Sequence, residues 1–136
     1  MASAGFSPVL SAAQLRLSAA LTDALETAGA EPPTIEELAV QLDADAAELL
    51  SLARWHARDG SLIPVEPNRF YGRAAVEGLK ARMGAGMADG REYAPAELRD
   101  LLGLTRKFLI PFLEYCDREG YTIRTGLGRR LAAPTS

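Results

Sequence analysis

The residues best placed to do chemistry in this chain lie between Thr105 and Arg130, and their chemistry is capture of a polyanion, not bond breaking. Thr105-Arg106-Lys107-Phe108 opens an amphipathic segment. A helix that begins without acidic residues presents unpaired backbone N–H groups and the positive end of its dipole, and here two cations stand beside them. Arg129 and Arg130 close a hairpin whose preceding strand carries Arg124, so positive charge is expected at a second place. An earlier stretch, Asp45-Ala46-Ala47-Glu48, has the opposite character. An acidic cap with Glu three residues later predicts a capping box, in which the protein's own carboxylates satisfy the donors and repel phosphate.

The elements needed to carry these groups can be read from spacing. Pro95 suits a first helical turn, Leu98, Leu101 and Leu102 follow it, and Gly103 can leave the helix in a left-handed conformation. Thr105 then caps the next helix, where Leu109, Phe112, Leu113 and Cys116 fall at i, i+3, i+4 and i+7 before Gly120 stops it. Ile123 to Thr125 and Arg129 to Leu131 flank Gly126-Leu127-Gly128, a β-hairpin signal. Helix, helix and hairpin make a winged helix. The same order occurs earlier: at an offset of 60, Leu38 falls on Leu98, Leu42 on Leu102, Leu49 on Leu109, Gly60 on Gly120, Ile63 on Ile123 and Arg69 on Arg129. Each copy has a leading helix, from Ser11 to about Ala28 with Leu15, Leu17, Leu21 and Leu25, and from about Ala74 to Met87 with Val76, Leu79 and Met83. Glu31-Pro32-Pro33 and Asp89-Gly90 end them.

The predicted fold is therefore mainly α with some β, two tandem winged helices: 1–71, acidic and supporting or docking, and 72–136, basic and nucleic-acid-binding. A unit of this size buries only about 60% of its unfolded surface, so the copies are expected to lean on each other. Phe70-Tyr71-Gly72-Arg73 is too short a junction for a flexible tether.

A net charge of −3 over 136 residues conceals an asymmetry. The first 71 residues hold four basic against ten acidic residues, a balance of −6, and the remainder hold eleven against eight, +3. One half is thus suited to a polyanion. Cys116 is the single cysteine, so no internal disulfide forms, and no zinc-ligand spacing occurs. The first ten residues carry no basic residue or long apolar run, and no run of 18 apolar residues exists, which predicts neither leader nor membrane span and a cytoplasmic protein. His56, the only histidine, stands beside Trp55 and is expected to pack, not to ligate. The serines are scattered with no base to activate them, and Asp43, Asp45 and Glu48 are accounted for by capping, so neither catalysis, metal nor cofactor is expected. Pro111, six residues into its helix, removes the bond to the Lys107 carbonyl; a kink there would tilt the first turn toward a ligand, free that carbonyl as an acceptor for a base, or only serve core packing.

Two stretches, Leu101-Leu102-Gly103-Leu104-Thr105-Arg106-Lys107 and Ile110-Pro111-Phe112-Leu113-Glu114-Tyr115-Cys116-Asp117-Arg118, with a wing ending Gly128-Arg129-Arg130-Leu131, make the second half resemble the C-terminal winged-helix domain of SelB, the bacterial selenocysteine-specific elongation factor. Relative to that family's pattern, Thr105 replaces Ser, Phe108 replaces Tyr and Leu109 replaces Ala, and Phe108 lacks the hydroxyl that a tyrosine would offer to RNA. The resemblance implies that the last winged helix binds the SECIS hairpin of selenoprotein mRNA, tethering a GTPase at UGA and raising its local concentration there. It implies phosphate or guanine contacts for Arg106, Lys107, Arg129 and Arg130, backbone donors around Thr105, and stacking for Phe108. The deep, narrow major groove of A-form RNA excludes a helix, so an apical loop or bulge is the expected target. No GxxxxGK[ST] loop is present, so this chain is expected to represent a non-enzymatic, monomeric module that leaves GTP to another part of the factor, with the ribosome as a further partner. Two rival classes are kept: a DNA-binding regulator and a protein-interaction module whose acidic half docks.

Overall fold

A computed structural model describes residues 10–132; the remaining terminal residues, including nearly all of the segment read for a leader, lie outside it. The order is α1 (Ala12–Ala28), α2 (Ile35–Leu42), α3 (Ala46–Arg58), β1 (Leu62–Glu66), β2 (Arg69–Gly72), α4 (Arg73–Gly86), α5 (Pro95–Leu102), α6 (Arg106–Arg118), β3 (Thr122–Arg124) and β4 (Arg129–Leu131). Three helices followed by an antiparallel hairpin occur twice. Local chemistry sets most of the boundaries. Ser11 and Thr34 form reciprocal capping boxes with Gln14 and Glu37, Pro95 takes the first position of α5, and Gly103, at φ 70°, ends that helix in the left-handed region. The box expected at Asp45 is half formed: its carboxylate accepts from the Glu48 N–H at 2.9 Å, with no return bond from Glu48.

Two cores form. Leu21, Leu25, Ile35, Leu38, Leu49 and Leu52 center the first; Val76, Leu79, Met83, Leu98, Phe112 and Leu113 center the second. Leu15, expected on the apolar face of α1, is exposed there. The first hairpin belongs to both cores. Leu62 and Phe70 are buried in the first, Val65 and Tyr71 in the second, because successive residues of a strand leave opposite faces. An apolar pattern that would be half solvated on an ordinary wing is here buried on both sides, and the hairpin becomes a partition. The C-terminal part of α6 backs onto it, where an Arg118 guanidinium N–H donates to the Val65 carbonyl at 3.2 Å.

The buried positions of α1 and α4 correspond at an offset of 58, Leu21 with Leu79 and Leu25 with Met83, while α2 and α3 keep the offset of 60. The connection from α4 to α5 is accordingly two residues longer than that from α1 to α2. Its Tyr93 makes an antiparallel bridge to Arg129, with Tyr93 N–H to Arg129 O at 2.7 Å and the return bond at 2.9 Å, adding a third strand-like member to the second wing. Gly128 is required there, since a Cβ would lie 2.0 Å from the Tyr93 carbonyl oxygen.

Candidate nucleic-acid interface

The start of α6 is open. Thr105 holds the N-cap position with φ −77° and ψ 162°, yet its side chain makes no capping bond, and the first turn contains no acidic residue. Thr105, Arg106 and Lys107 are exposed, and among the described residues neither cation is in an ion pair. At the matching place in the first copy, Asp45 fills the end of α3 with its own carboxylate. Of these two corresponding helices, α3 is thus sealed and α6 unsealed, and within the pair it is α6 that has donors and dipole free for an external anion.

Phe108 is spent on the protein. It is half-buried against the second core, and the Arg69 guanidinium lies over its ring at 5.0 Å from the centroid, with Lys107 Nζ at 5.4 Å. Packing, not an open stacking face, is what its geometry provides. Arg69 itself is held on the first copy by Glu66 at 2.8 Å and by the Pro32 carbonyl, so the first turn of α6 rests on the preceding unit. The charge of Lys107 reaches that unit too: the Glu37 carboxyl is held below its ordinary range first by the Thr34 backbone N–H, with Lys107 and Arg69 adding to the effect.

The wing corrects one expectation. Arg129, read from the sequence as an anion-contacting cation, is 4% exposed. Its Nε and Nη2 donate to Asp117 at 3.0 and 2.9 Å. Thr122 donates its hydroxyl to the same carboxylate at 2.6 Å. A guanidinium so placed fastens β4 and β3 to the C-terminal half of α6. Alternation along the strand then turns the next residue outward. Arg130 is half-buried, with one N–H on the Leu131 carbonyl at 3.5 Å, and Arg124 is exposed and without an ion-pair partner among the described residues. Asp117 was not singled out in the sequence, and its position one turn beyond Leu113 was the available signal.

Other groups are structural. Cys116 is buried in the core stripe, and desolvation pushes its thiol up to about 12. His56 Nε2 meets the Ser18 hydroxyl, contrary to the expectation that no base stands near a serine, because α1 and α3 pack across a separation of 38 residues. Ser18 is only 7% exposed, and His56 Nδ1 lies 3.3 Å from Ser61 Oγ, so the imidazole pins α1 to the loop after α3. No helix among the described residues is long and apolar enough to cross a membrane.

The fold and its open helix start define a protein of the tandem winged-helix class. A family model described as elongation factor SelB, winged helix, matches residues 87–131. The selenocysteine-specific elongation factor of Desulfomicrobium baculatum is 34% identical over 104 residues, 76% of this chain, and that of Escherichia coli (strain K12) is 29% identical over 98 residues, 72% of this chain. Each alignment spans 16% of the relative's own length. Among solved structures, the mRNA-binding domain of elongation factor SelB from E. coli, in complex with SECIS RNA, superposes with a TM-score of 0.79 and 25% identity, covering 91% of this chain and 100% of that one. The bacterial selenocysteine-specific elongation factor EF-Sec shares the fold, with a TM-score of 0.67, over 91% of this chain and 20% of that one. The chain belongs with the C-terminal winged-helix domains of SelB, the selenocysteine-specific elongation factor.

Proposed function

We propose that this chain is the mRNA-binding module of a selenocysteine-specific elongation factor and that it binds a SECIS hairpin without itself catalysing a reaction. The observation that carries the reading is the likeness, over the whole length of the solved domain, to a structure described as in complex with SECIS RNA. Its physical support is the start of α6, where uncapped backbone donors, Arg106 and Lys107 face outward. In this reading Arg106 and Lys107 meet phosphates or a guanine edge of the loop, Thr105 and its neighbours supply N–H donors, and Arg124 and Arg130 reach the RNA from the wing. Arg129 and Phe108 hold that surface in shape instead of touching RNA.

The acidic unit, residues 1–71, supports the basic one, 72–136, and faces either the ribosome or the GTPase part of the factor, in the cytoplasm. Like charge keeps RNA on the basic side. The factor then works by tethering: a hairpin-bound module raises the local concentration of the attached GTPase at the UGA codon. The test is a gel-shift titration of the monomeric chain with a SECIS hairpin from a selenoprotein message of the source organism, against a loop-scrambled hairpin and a DNA duplex. Preference for the intact loop is expected, with affinity falling steeply as salt rises. Equal binding of all three, or tighter binding of duplex DNA, would overturn the proposal.

A further inference from the structure

Arg82 lies on α4, outside every segment read as a binding element, and is exposed. It reaches the turn of the second helix-turn-helix: its Nη1 donates to the Leu102 carbonyl at 3.1 Å and lies 3.9 Å from the place a Cβ of Gly103 would occupy. Among the described residues no carboxylate pairs with it. One N–H is therefore used on the end of α5, and the guanidinium keeps further donors and its full charge. Consecutive Cα atoms are about 3.8 Å apart, so Thr105 lies within roughly 8 Å of Gly103.

The first copy supplies the comparison. With Leu21 matched to Leu79 and Leu25 to Met83, Arg82 corresponds to Ala24. Ala24 lines a shallow hollow with Gln41 and Leu42, the residue matching Leu102. The place that is empty in the acidic copy is thus filled by a cation in the basic one. Its neighbourhood changes sign in step: Asp43 becomes Gly103, Asp45 becomes Thr105, and Ala46-Ala47 becomes Arg106-Lys107. Gly103 closes α5 through its own N–H to the Arg99 carbonyl at 2.8 Å, and Arg82 adds a single bond to a second carbonyl, that of Leu102, which leaves most of the guanidinium's donors uncommitted.

We infer that Arg82 is a further RNA-contacting residue, which extends the phosphate-binding surface from the start of α6 across the turn onto α4. The inference rests on the RNA-binding reading above. A planar fork with one edge held on a carbonyl and another outward suits bidentate recognition of phosphate.

The experiment compares the wild-type chain with Arg82→Gln, Arg82→Lys and Arg106→Ala, titrated with the same SECIS hairpin at several salt concentrations alongside thermal melting. Gln removes the charge and keeps a polar side chain, shorter than Arg, so the melting curve reads what the bond to Leu102 contributes to stability separately from binding. Arg82→Gln is expected to melt close to wild type, to bind roughly fivefold more weakly and to reduce the slope of log affinity against log salt by about one, whereas Arg82→Lys keeps the slope. If Arg106→Ala weakens binding while Arg82→Gln leaves affinity and slope unchanged, this inference fails and the RNA site stands. An affinity loss without a change in slope also overturns it, assigning Arg82 to positioning the turn. If neither Arg106→Ala nor Arg82→Gln affects binding, the RNA site at the helix start fails as well.

Discussion

Two arginines of the wing, adjacent in sequence, have unequal roles. Arg129 is buried against Asp117 and Arg130 is turned toward the surface, so a charge count over the wing overstates what an RNA can touch. At the helix start the count holds, because Arg106 and Lys107 are exposed and both stand outside any ion pair among the described residues. Arg106→Ala is expected to weaken hairpin binding by at least about 1 kcal/mol and to lower its salt dependence, while Arg16→Ala, on the acidic unit, leaves both unchanged in the same titration. A second residue-scale prediction concerns Tyr71, whose buried hydroxyl has no hydrogen-bond partner among the described residues. A desolvated polar atom without a partner is a standing penalty, so Tyr71→Phe should stabilise the chain by about 1 kcal/mol in urea unfolding. A loss of stability would show that the hydroxyl does find a partner.

Among the elements, the wing depends on two fastenings that are far apart in sequence. Asp117 collects Arg129 and Thr122, and the Tyr93 backbone pairs with Arg129. Removing the carboxylate in Asp117→Ala leaves a buried guanidinium unpaired and is expected to cost about 3–5 kcal/mol, read from the denaturation midpoint. Gly128→Ala attacks the same element through the backbone: its Cβ would collide with the Tyr93 carbonyl at 2.0 Å. That substitution should loosen the wing and lower RNA affinity while the α6 start stays intact, so hydrogen exchange would rise in 122–131 and not in 106–113. The sealed and unsealed starts of α3 and α6 were readable in the sequence, because a cap is a contact over three residues. The partners of Arg129 were not, since burial of a charge depends on what the chain brings back from elsewhere.

For the whole molecule, the partition formed by the first hairpin decides cooperativity. Val65 and Tyr71 belong to the second core while Leu62 and Phe70 belong to the first, so neither unit can lose the hairpin without exposing apolar surface of the other. A single unfolding transition by fluorescence and circular dichroism is expected; two separated transitions would contradict this coupling. Alkaline pH probes the same interior. Burial pushes Cys116 and Tyr71 up to about 12, above the pKa values they have when unfolded, so the folded chain holds protons that the unfolded chain releases. That contribution to stability is complete below about pH 9 and is lost as pH rises toward 12, which denaturant midpoints measured from pH 7 to 11 would register.

The repeat, the helix and hairpin order, the contrast in charge between the halves and the unsealed start of α6 were all contained in the order of residues. Each depends on neighbours within a few positions or on a pattern that recurs at a fixed offset. Only the tertiary structure decided that Phe108 is covered by Arg69, that Arg129 is buried while Arg130 is not, and that Arg82 crosses from α4 to the turn before α6. Those outcomes turn on which surfaces meet across tens of residues. A side chain's access to water, and so its freedom to bind anything else, is settled there.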